Sequence, residues 1–290
     1  MDKLETFLSR AREVLDRLDA VLPPARPAVE WENTLACRWQ QRNGRGALFP
    51  VTKIHAIHLH DLQDIDRQKQ QVNQNTQQFV QGLSANNVLL TGARGTGKSS
   101  LVKALLNEYS GMGLRVIEVD KSGLIDLPEI IEAISTRPEK FILYCDDLSF
   151  NAAESGYQAL KAVLDGSVVA LPDNLLIYAT SNRRHLMPEQ MSENLGTKYI
   201  GDEIHPAESV EEKISLSERF GLWVSFYPFT QDEYLNIVAH WLAHFKVAPL
   251  DEVSRRAALQ WALTRGSRSG RVAGQFARSW VGAQQSPPAS

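Results

Sequence analysis

Gly92-Ala93-Arg94-Gly95-Thr96-Gly97-Lys98-Ser99 lies between the apolar run Val88-Leu89-Leu90 and a helix-periodic stretch from Leu101 to Tyr109. It matches the pattern G-x-x-x-x-G-K-[ST], with the preceding strand and following helix that the pattern requires. The spacing has a chemical reason. Glycines let the backbone wrap closely around an anion, the loop amides and helix N-terminus attract it, and Lys98 can bridge the β and γ oxygens of a triphosphate. The Ser99 hydroxyl can then serve Mg2+. Gly92, Ala93, Arg94, Gly95, Thr96, Gly97, Lys98, Ser99 and Ser100 form the expected cofactor-binding stretch, with ATP and Mg2+ as cofactors. A glycine-rich turn that merely precedes a lysine is the alternative, and the agreement of strand, loop and helix weighs against it. Arg94 is not required by the pattern and also reads as an exposed charge.

Beyond this loop, short apolar runs alternate with helical stretches: LRVIEV at 114–119, LPEIIEAI at 127–134, FILYC at 141–145, LLIYA at 175–179 and GLWVSFY at 221–227. That alternation predicts a parallel α/β sheet, five-stranded when Val88 to Leu90 is included. FILYC runs into Asp146-Asp147, two carboxylates at the carboxyl edge of the sheet, where open α/β folds bind ligands. Asp146 is the candidate metal residue beside Ser99. Asp147 is the candidate to orient or deprotonate an attacking water. The alternative for either acid is a helix cap. LLIYA runs into Thr180-Ser181-Asn182, so Asn182 is a further candidate for positioning water, against the plainer reading of a turn or cap residue.

The flanks read differently. Leu4, Phe7, Leu8, Ala11, Leu15, Leu18 and Leu22 recur at helical spacing before Pro23-Pro24, which gives an N-terminal amphipathic helix. Residues 23–50 carry PPARP and NGRG and read as an irregular linker, so 1–50 is set apart from a core at 51–229. A capping box from Thr230 to Glu233 opens a helix with Tyr234, Leu235, Val238, Trp241, Leu242 and Phe245 on one face. Two more helical stretches, near 251–264 and 270–280, complete a helical unit at 230–281, and residues 282–290 read as a disordered tail.

Composition sets the outer limits. At 43% hydrophobic over 290 residues the chain can bury a substantial core, and 31 Lys+Arg against 34 Asp+Glu leave a net charge of −3. There is no overall basic field for nonspecific DNA binding. Two distant cysteines, Cys37 and Cys145, no unbroken apolar stretch at the N-terminus and no membrane-length apolar window predict a cytoplasmic, unprocessed protein that does not enter a membrane.

With these motifs in order, the chain resembles AAA+ ATPases: GARGTGKS is similar to Walker A, FILYCDD to Walker B, and YATSN to a strand ending in the sensor 1 Asn. Ser217-Glu218-Arg219-Phe220-Gly221 resembles the box carrying the arginine finger, and Ser269-Gly270-Arg271-Val272-Ala273 resembles a sensor 2 motif on a lid helix. More narrowly, ANNVLLTGARGTGKSSLVKALLNEY, FILYCDDLSF, TSNRRHL and LSERFGLWVSFY are similar to a bacterial AAA+ family known mainly as a domain of unknown function. The resemblance implies an ATPase whose cycle remodels or positions a macromolecular partner. It makes 230–281 a lid, Arg271 a contact to the γ-phosphate of its own subunit, and Arg219 a finger acting on a neighbour, hence a homo-oligomer. The second Walker B acid is usually Glu, and Asp147 is shorter by one methylene, which points toward slow turnover. Two rivals follow: a nucleotide-gated loader or adaptor, and a P-loop small-molecule kinase, against which Arg271 and the Arg219 box weigh.

Three other segments carry weaker signals. Arg183-Arg184-His185, and Cys37-Arg38-Trp39 with Arg42 and Arg45, combine cations and aromatics as a nucleic-acid site does, but packing and solvated charge are the favoured reading. Residues 187–216, with Glu203, Glu208, Glu211 and Glu212, are long for a connection and read as a partner-contacting insertion. His55, His58 and His60 alternate like a strand and lack firm metal-ligand spacing.

Overall fold

Strand β3 (Val88–Gly92) shows how the apolar runs are used. Val88 and Leu90 pack on one face of a sheet with Leu101 and Leu105, whereas Leu89 packs on the other with Leu143 and Ile177. A strand covered on both faces reads as a continuous apolar run, because neither side meets water. In the computed structural model, residues 2–19, 29–42, 45–149, 155–166, 171–182, 198–200, 203–205, 217–247 and 249–285 are described.

Along the chain run α1 (Asp2–Asp19), β1 (Ala36–Arg42), β2 (Arg45–Pro50), α2 (Asp66–Val80), β3, α3 (Lys98–Tyr109), β4 (Leu114–Glu118), α4 (Leu127–Ile134), β5 (Lys140–Cys145) and α5 (Ser155–Asp165). These are followed by β6 (Leu175–Ser181), a small antiparallel pair β7 (Lys198–Ile200) and β8 (Glu203–His205), and β9 (Leu222–Phe226). Three helices close the order: α6 (Gln231–His244), α7 (Glu252–Thr264) and α8 (Gly270–Gln285).

The main sheet has the order β2-β1-β4-β5-β6-β3-β9. All five predicted strands are in it and pair in parallel, with β3 between β6 and β9. The carboxyl ends of β5, β6 and β3 therefore lie side by side, which is what gathers the site.

The sheet has seven strands because residues 36–50, expected to be irregular, contribute a hairpin. The first of its strands pairs in parallel with β4, aligning Cys37 with Ile117. Its alternation is short: Cys37 and Trp39 are buried, while Arg38 pairs with Glu118. A Cβ on Gly46 would meet the Trp39 ring at 2.0 Å, so only glycine lets the indole lie across the hairpin. The Trp39 Nε1 donates to Asp126 at 2.8 Å. Trp39 and Cys37 are thus packing residues, and the Arg42 side chain lies outside the described residues.

The helical unit follows expectation at its start. Thr230 Oγ1 accepts from the Glu233 amide at 3.3 Å and the Thr230 amide donates to the Glu233 carboxylate at 2.7 Å. Tyr234, Val238, Ala273 and Phe276 join the same buried cluster as α3 and β3, so the lid shares a core with the sheet. At the other end, the tail expected from 282 is helical through Gln285, anchored by the packing of Trp280 and Val281 against that core. His55 and His58 precede a 3-10 turn at Leu59–Asp61 that contains His60, and none of the three lies in a strand, because the Leu59–Asp61 backbone turns where alternation would need extension. Among the described residues no helix is long and apolar enough to cross a membrane. Residues 183–197 and 206–216, which include Arg183, Arg184, His185 and most of the acidic insertion, lie outside the described residues.

Candidate functional site

The loop between β3 and α3 takes conformations that side-chain-bearing residues resist, with φ of 126° at Gly92, 73° at Gly95 and 100° at Gly97. Each glycine also permits a close approach. A Cβ on Gly92 would stand 1.9 Å from the Phe226 carbonyl oxygen, and one on Gly95 would stand 2.7 Å from Ser269 Cβ. Gly97 is the N-cap of α3, so the first turn of that helix opens directly from the loop.

Lys98 Nζ donates to the carbonyls of Gly92 at 2.8 Å and Ala93 at 2.7 Å and to Asn182 Oδ1 at 3.2 Å. Burial pulls the Lys98 pKa down, and the Asp146 and Asp147 charges oppose it. The ammonium is therefore gathered against the loop and facing the two acids.

Asp146 is held by three hydroxyls. Its Oδ1 accepts from Ser99 at 2.8 Å, Tyr144 at 2.7 Å and Thr180 at 2.6 Å. Burial alone would raise its pKa, but the bonds from Thr180, Tyr144 and Ser99 outweigh that and hold it below the usual carboxylate range. Burial and the Asp146 charge push the Tyr144 phenol up, which keeps it a donor.

Asp147 sits at φ 52°, a left-handed conformation uncommon outside glycine. Its amide donates to Thr180 Oγ1 at 2.9 Å, and its carboxylate accepts from Asn182 Nδ2 and lies 3.8 Å from Arg94 Nη2. Thr180 thus locks both acids through one hydroxyl, and Asn182 bridges Lys98 to Asp147. Arg94 is exposed and reaches the acid side of the loop.

Arg271 lines a cleft of about 540 Å³ together with Gly95, Thr96, Gly97, Ser100 and Trp241. The lid meets the loop through backbone: the Gly270 amide donates to the Gly95 carbonyl at 2.8 Å. Arg219 is elsewhere. It pairs with Asp165 at the end of α5 and lines neither this cleft nor the larger one bordered by Ala93, Arg94 and Arg268. Lys98, Ser99, Asp146, Asp147 and Asn182 are brought together; Arg271 approaches from the lid; Arg219 stays apart.

Tyr144 and Thr180 escaped sequence reasoning, because it is the pairing of β5 with β6 that brings both hydroxyls to Asp146. Among the described residues no group of three or more His, Cys, Asp or Glu could hold a metal ion. His58 and His60 instead stack with ring centroids 5.4 Å apart.

Residues 32–284 match the family described as Protein of unknown function (DUF815). No curated protein matches the chain. Among solved structures, the Aeropyrum pernix ORC1 protein in complex with DNA is similar with a TM-score of 0.53 and 15% identity, over 78% of this chain and 62% of that one. The Thermotoga maritima RuvB Holliday junction branch migration motor gives 0.47 and 16% over 76% of this chain, which spans only 63% of RuvB. The FIGL-1 AAA domain in complex with ADP gives 0.49 and 16% over 78% of this chain and 72% of that one. At 15% identity the likeness to ORC1 speaks to the fold alone. The matched span places the chain in the DUF815 family, a family of unknown function, and the strand order around the loop gives it a P-loop α/β fold.

Proposed function

We propose that this protein binds Mg-ATP at the β3–α3 loop and hydrolyses it within an oligomer, coupling the cycle to the remodelling or positioning of a macromolecule. The observation that carries this reading is the Asp146 carboxylate, kept ionised beside the Ser99 hydroxyl and facing the Lys98 ammonium. The residues fit a nucleotide and its metal. The glycine conformations leave the loop free of intruding side chains, Lys98 supplies a cation for phosphate oxygens, and Ser99 with Asp146 supplies two oxygens of the kind Mg2+ takes. Bound magnesium would neutralise the charge on the transferring phosphate. Asn182 orients Asp147, whose carboxylate accepts the proton of the attacking water or positions it. Arg271 reports occupancy to the lid through the cleft it shares with the loop.

A second reading, a slow nucleotide-gated switch, is favoured by Asp147 itself. It is shorter than the usual Glu and already engaged by Asn182 and Arg94. Steady-state turnover of the purified protein separates the two: a multiple-turnover ATPase supports the first, and tight ATP binding with negligible phosphate release supports the second. Capture of a partner by the Asp147→Asn protein in ATP, lost with Lys98→Ala, would identify the macromolecule.

A further inference from the structure

The loop carries its own arginine beside the acid that the proposed chemistry uses. Arg94 Nη2 lies 3.8 Å from Asp147 Oδ2, and among the described residues Asp147 is its one ion-pair partner. The other oxygen of that carboxylate accepts from Asn182 Nδ2, and Asn182 Oδ1 accepts from Lys98 Nζ at 3.2 Å. Lys98, Asn182, Asp147 and Arg94 therefore form a chain of contacts that begins and ends on one loop. The backbone of residues 94–98 closes it into a ring.

The two ends of this chain are cations that feel one another. Burial does most to lower the Lys98 pKa, the Asp146 and Asp147 charges oppose it, and the Arg94 charge lowers it further. Like charges brought this near favour an anion between them. The base of Arg94 is fixed, because the Ala93 amide donates to the Phe226 carbonyl at 3.3 Å and the Gly95 carbonyl accepts from the Gly270 amide at 2.8 Å. Its tip is not. The side chain is 78% accessible and 3.8 Å is longer than a hydrogen bond, so Asp147 holds the guanidinium only weakly. Nothing charged draws it the other way, since among the described residues the lid-side cleft that Arg94 borders is lined by Arg268 and by no carboxylate.

A third phosphate changes that balance. Lys98 is the group of such a loop that takes the terminal oxygens of a nucleotide. A γ-phosphate beside it stands next to Asp147 and carries more negative charge than the carboxylate. A guanidinium also matches phosphate geometry, giving two parallel N–H groups to two oxygens. A diphosphate ends one group short.

We infer that Arg94 reads the γ-phosphate within its own subunit. It rests on Asp147 when the site is empty or holds a diphosphate, and passes to the γ oxygens when a triphosphate binds, which frees Asp147 Oδ2 to receive water. The inference rests on the Mg-ATP reading of the site and adds to it the residue that separates ATP from ADP. Arg219 is tied to Asp165, and Arg271 lines the other cleft, so neither shares this place.

The test compares the full chain with Arg94→Ala and Arg94→Lys, measuring affinity for ADP and for the non-hydrolysable triphosphate AMP-PNP by titration calorimetry with Mg2+ present. Arg94→Ala should weaken AMP-PNP binding by about 10- to 100-fold, the scale of one charge-assisted contact, and leave ADP affinity unchanged. Arg94→Lys, which keeps the charge and loses the fork, should recover part of the preference. Equal weakening of both nucleotides in Arg94→Ala overturns the inference, as does AMP-PNP affinity that does not move. Faster turnover of Arg94→Ala at unchanged AMP-PNP affinity would make Arg94 a restraint on Asp147 alone and overturn it as well. Wild-type protein that binds neither nucleotide ends the Mg-ATP reading itself, whereas nucleotide binding indifferent to Arg94 ends this inference and leaves that reading standing.

Discussion

Arg219, in the turn before β9, is ion-paired with Asp165, the last residue of α5. The guanidinium is therefore engaged away from the cluster of Lys98, Asp146 and Asp147. If it serves a neighbouring subunit, the pair must open when copies assemble. Subunits with Arg219→Ala mixed with subunits carrying Lys98→Ala should regain part of the ATPase activity that each lacks alone, because some interfaces combine an intact site with an intact finger. An arginine finger contributes on the order of 10³ or more to the rate, so the recovery should be plain in a phosphate-release assay. Asp165→Ala should leave ATP affinity unchanged; a loss of affinity in that variant would tie Arg219 to its own subunit's site.

Lys98→Ala should leave the fold intact and remove ATP binding. Among the described residues its ammonium bonds to the Gly92 and Ala93 carbonyls and to Asn182, all beside the loop and none of them part of the hydrophobic core. Losing charge-assisted bonds to two phosphate oxygens, about 1.5–3 kcal/mol each, weakens binding by about 100-fold or more. Titration calorimetry on a variant with wild-type circular dichroism checks this, and an unchanged affinity would sink the site.

Asp146 and Asp147 should separate by function. Asp146→Ala should weaken Mg2+-dependent binding, whereas Asp147→Asn should bind ATP normally and release phosphate slowly. Loss of binding alone in both variants would end the division of labour.

The Asp146 pKa makes a pH prediction. Its folded value lies below the ordinary carboxylate value, so the ionised form contributes stability that is present above that ordinary value and lost as pH falls through the lowered one. Thr180→Val removes the hydroxyl that serves both acids. It should move the acid limit of metal-dependent ATP binding to higher pH and cost about 1–3 kcal/mol of stability, read by denaturant titration at neutral pH. An unmoved acid limit would show that Thr180 does not set the charge of Asp146.

Two glycines at similar φ make a controlled comparison. Gly95 at 73° faces Ser269, whereas Gly266 at 63° has open space where a Cβ would go. Gly266→Ala should cost about 1 kcal/mol from backbone strain alone. Gly95→Ala adds a collision between loop and lid, and it should lower Tm further and abolish ATP binding. Equal effects of the two changes would mean the lid yields without consequence.

The phosphate loop and five strands were legible because buried parallel strands carry an unmistakable apolar run, and because glycine, lysine and serine at fixed intervals have few other uses. The hairpin was not. Its first strand buries just Ala36, Cys37 and Trp39, and its Asn43-Gly44 pair, a recognised hairpin signal, stands among residues read as a linker. Thr180 and Tyr144 were hidden for another reason. Their part depends on β5 and β6 lying side by side, which no local window reveals. The Arg219 partner is equally non-local: Asp165 is 54 residues away, at the end of a helix with no motif of its own.

The place of the hairpin in the sheet sets a timetable for synthesis. Residues 36–50 leave the ribosome before every other strand, yet Arg38 pairs with Glu118, 80 residues later. At roughly 5–20 residues per second, the nascent hairpin waits on the order of 4–16 s for its partner strand. During that interval Trp39 has only its own hairpin for cover, since Asp126 and the β4 edge have not been made. The hairpin edge of the finished sheet is thus made first, yet it stays unseated until the fourth strand of that sheet has followed it.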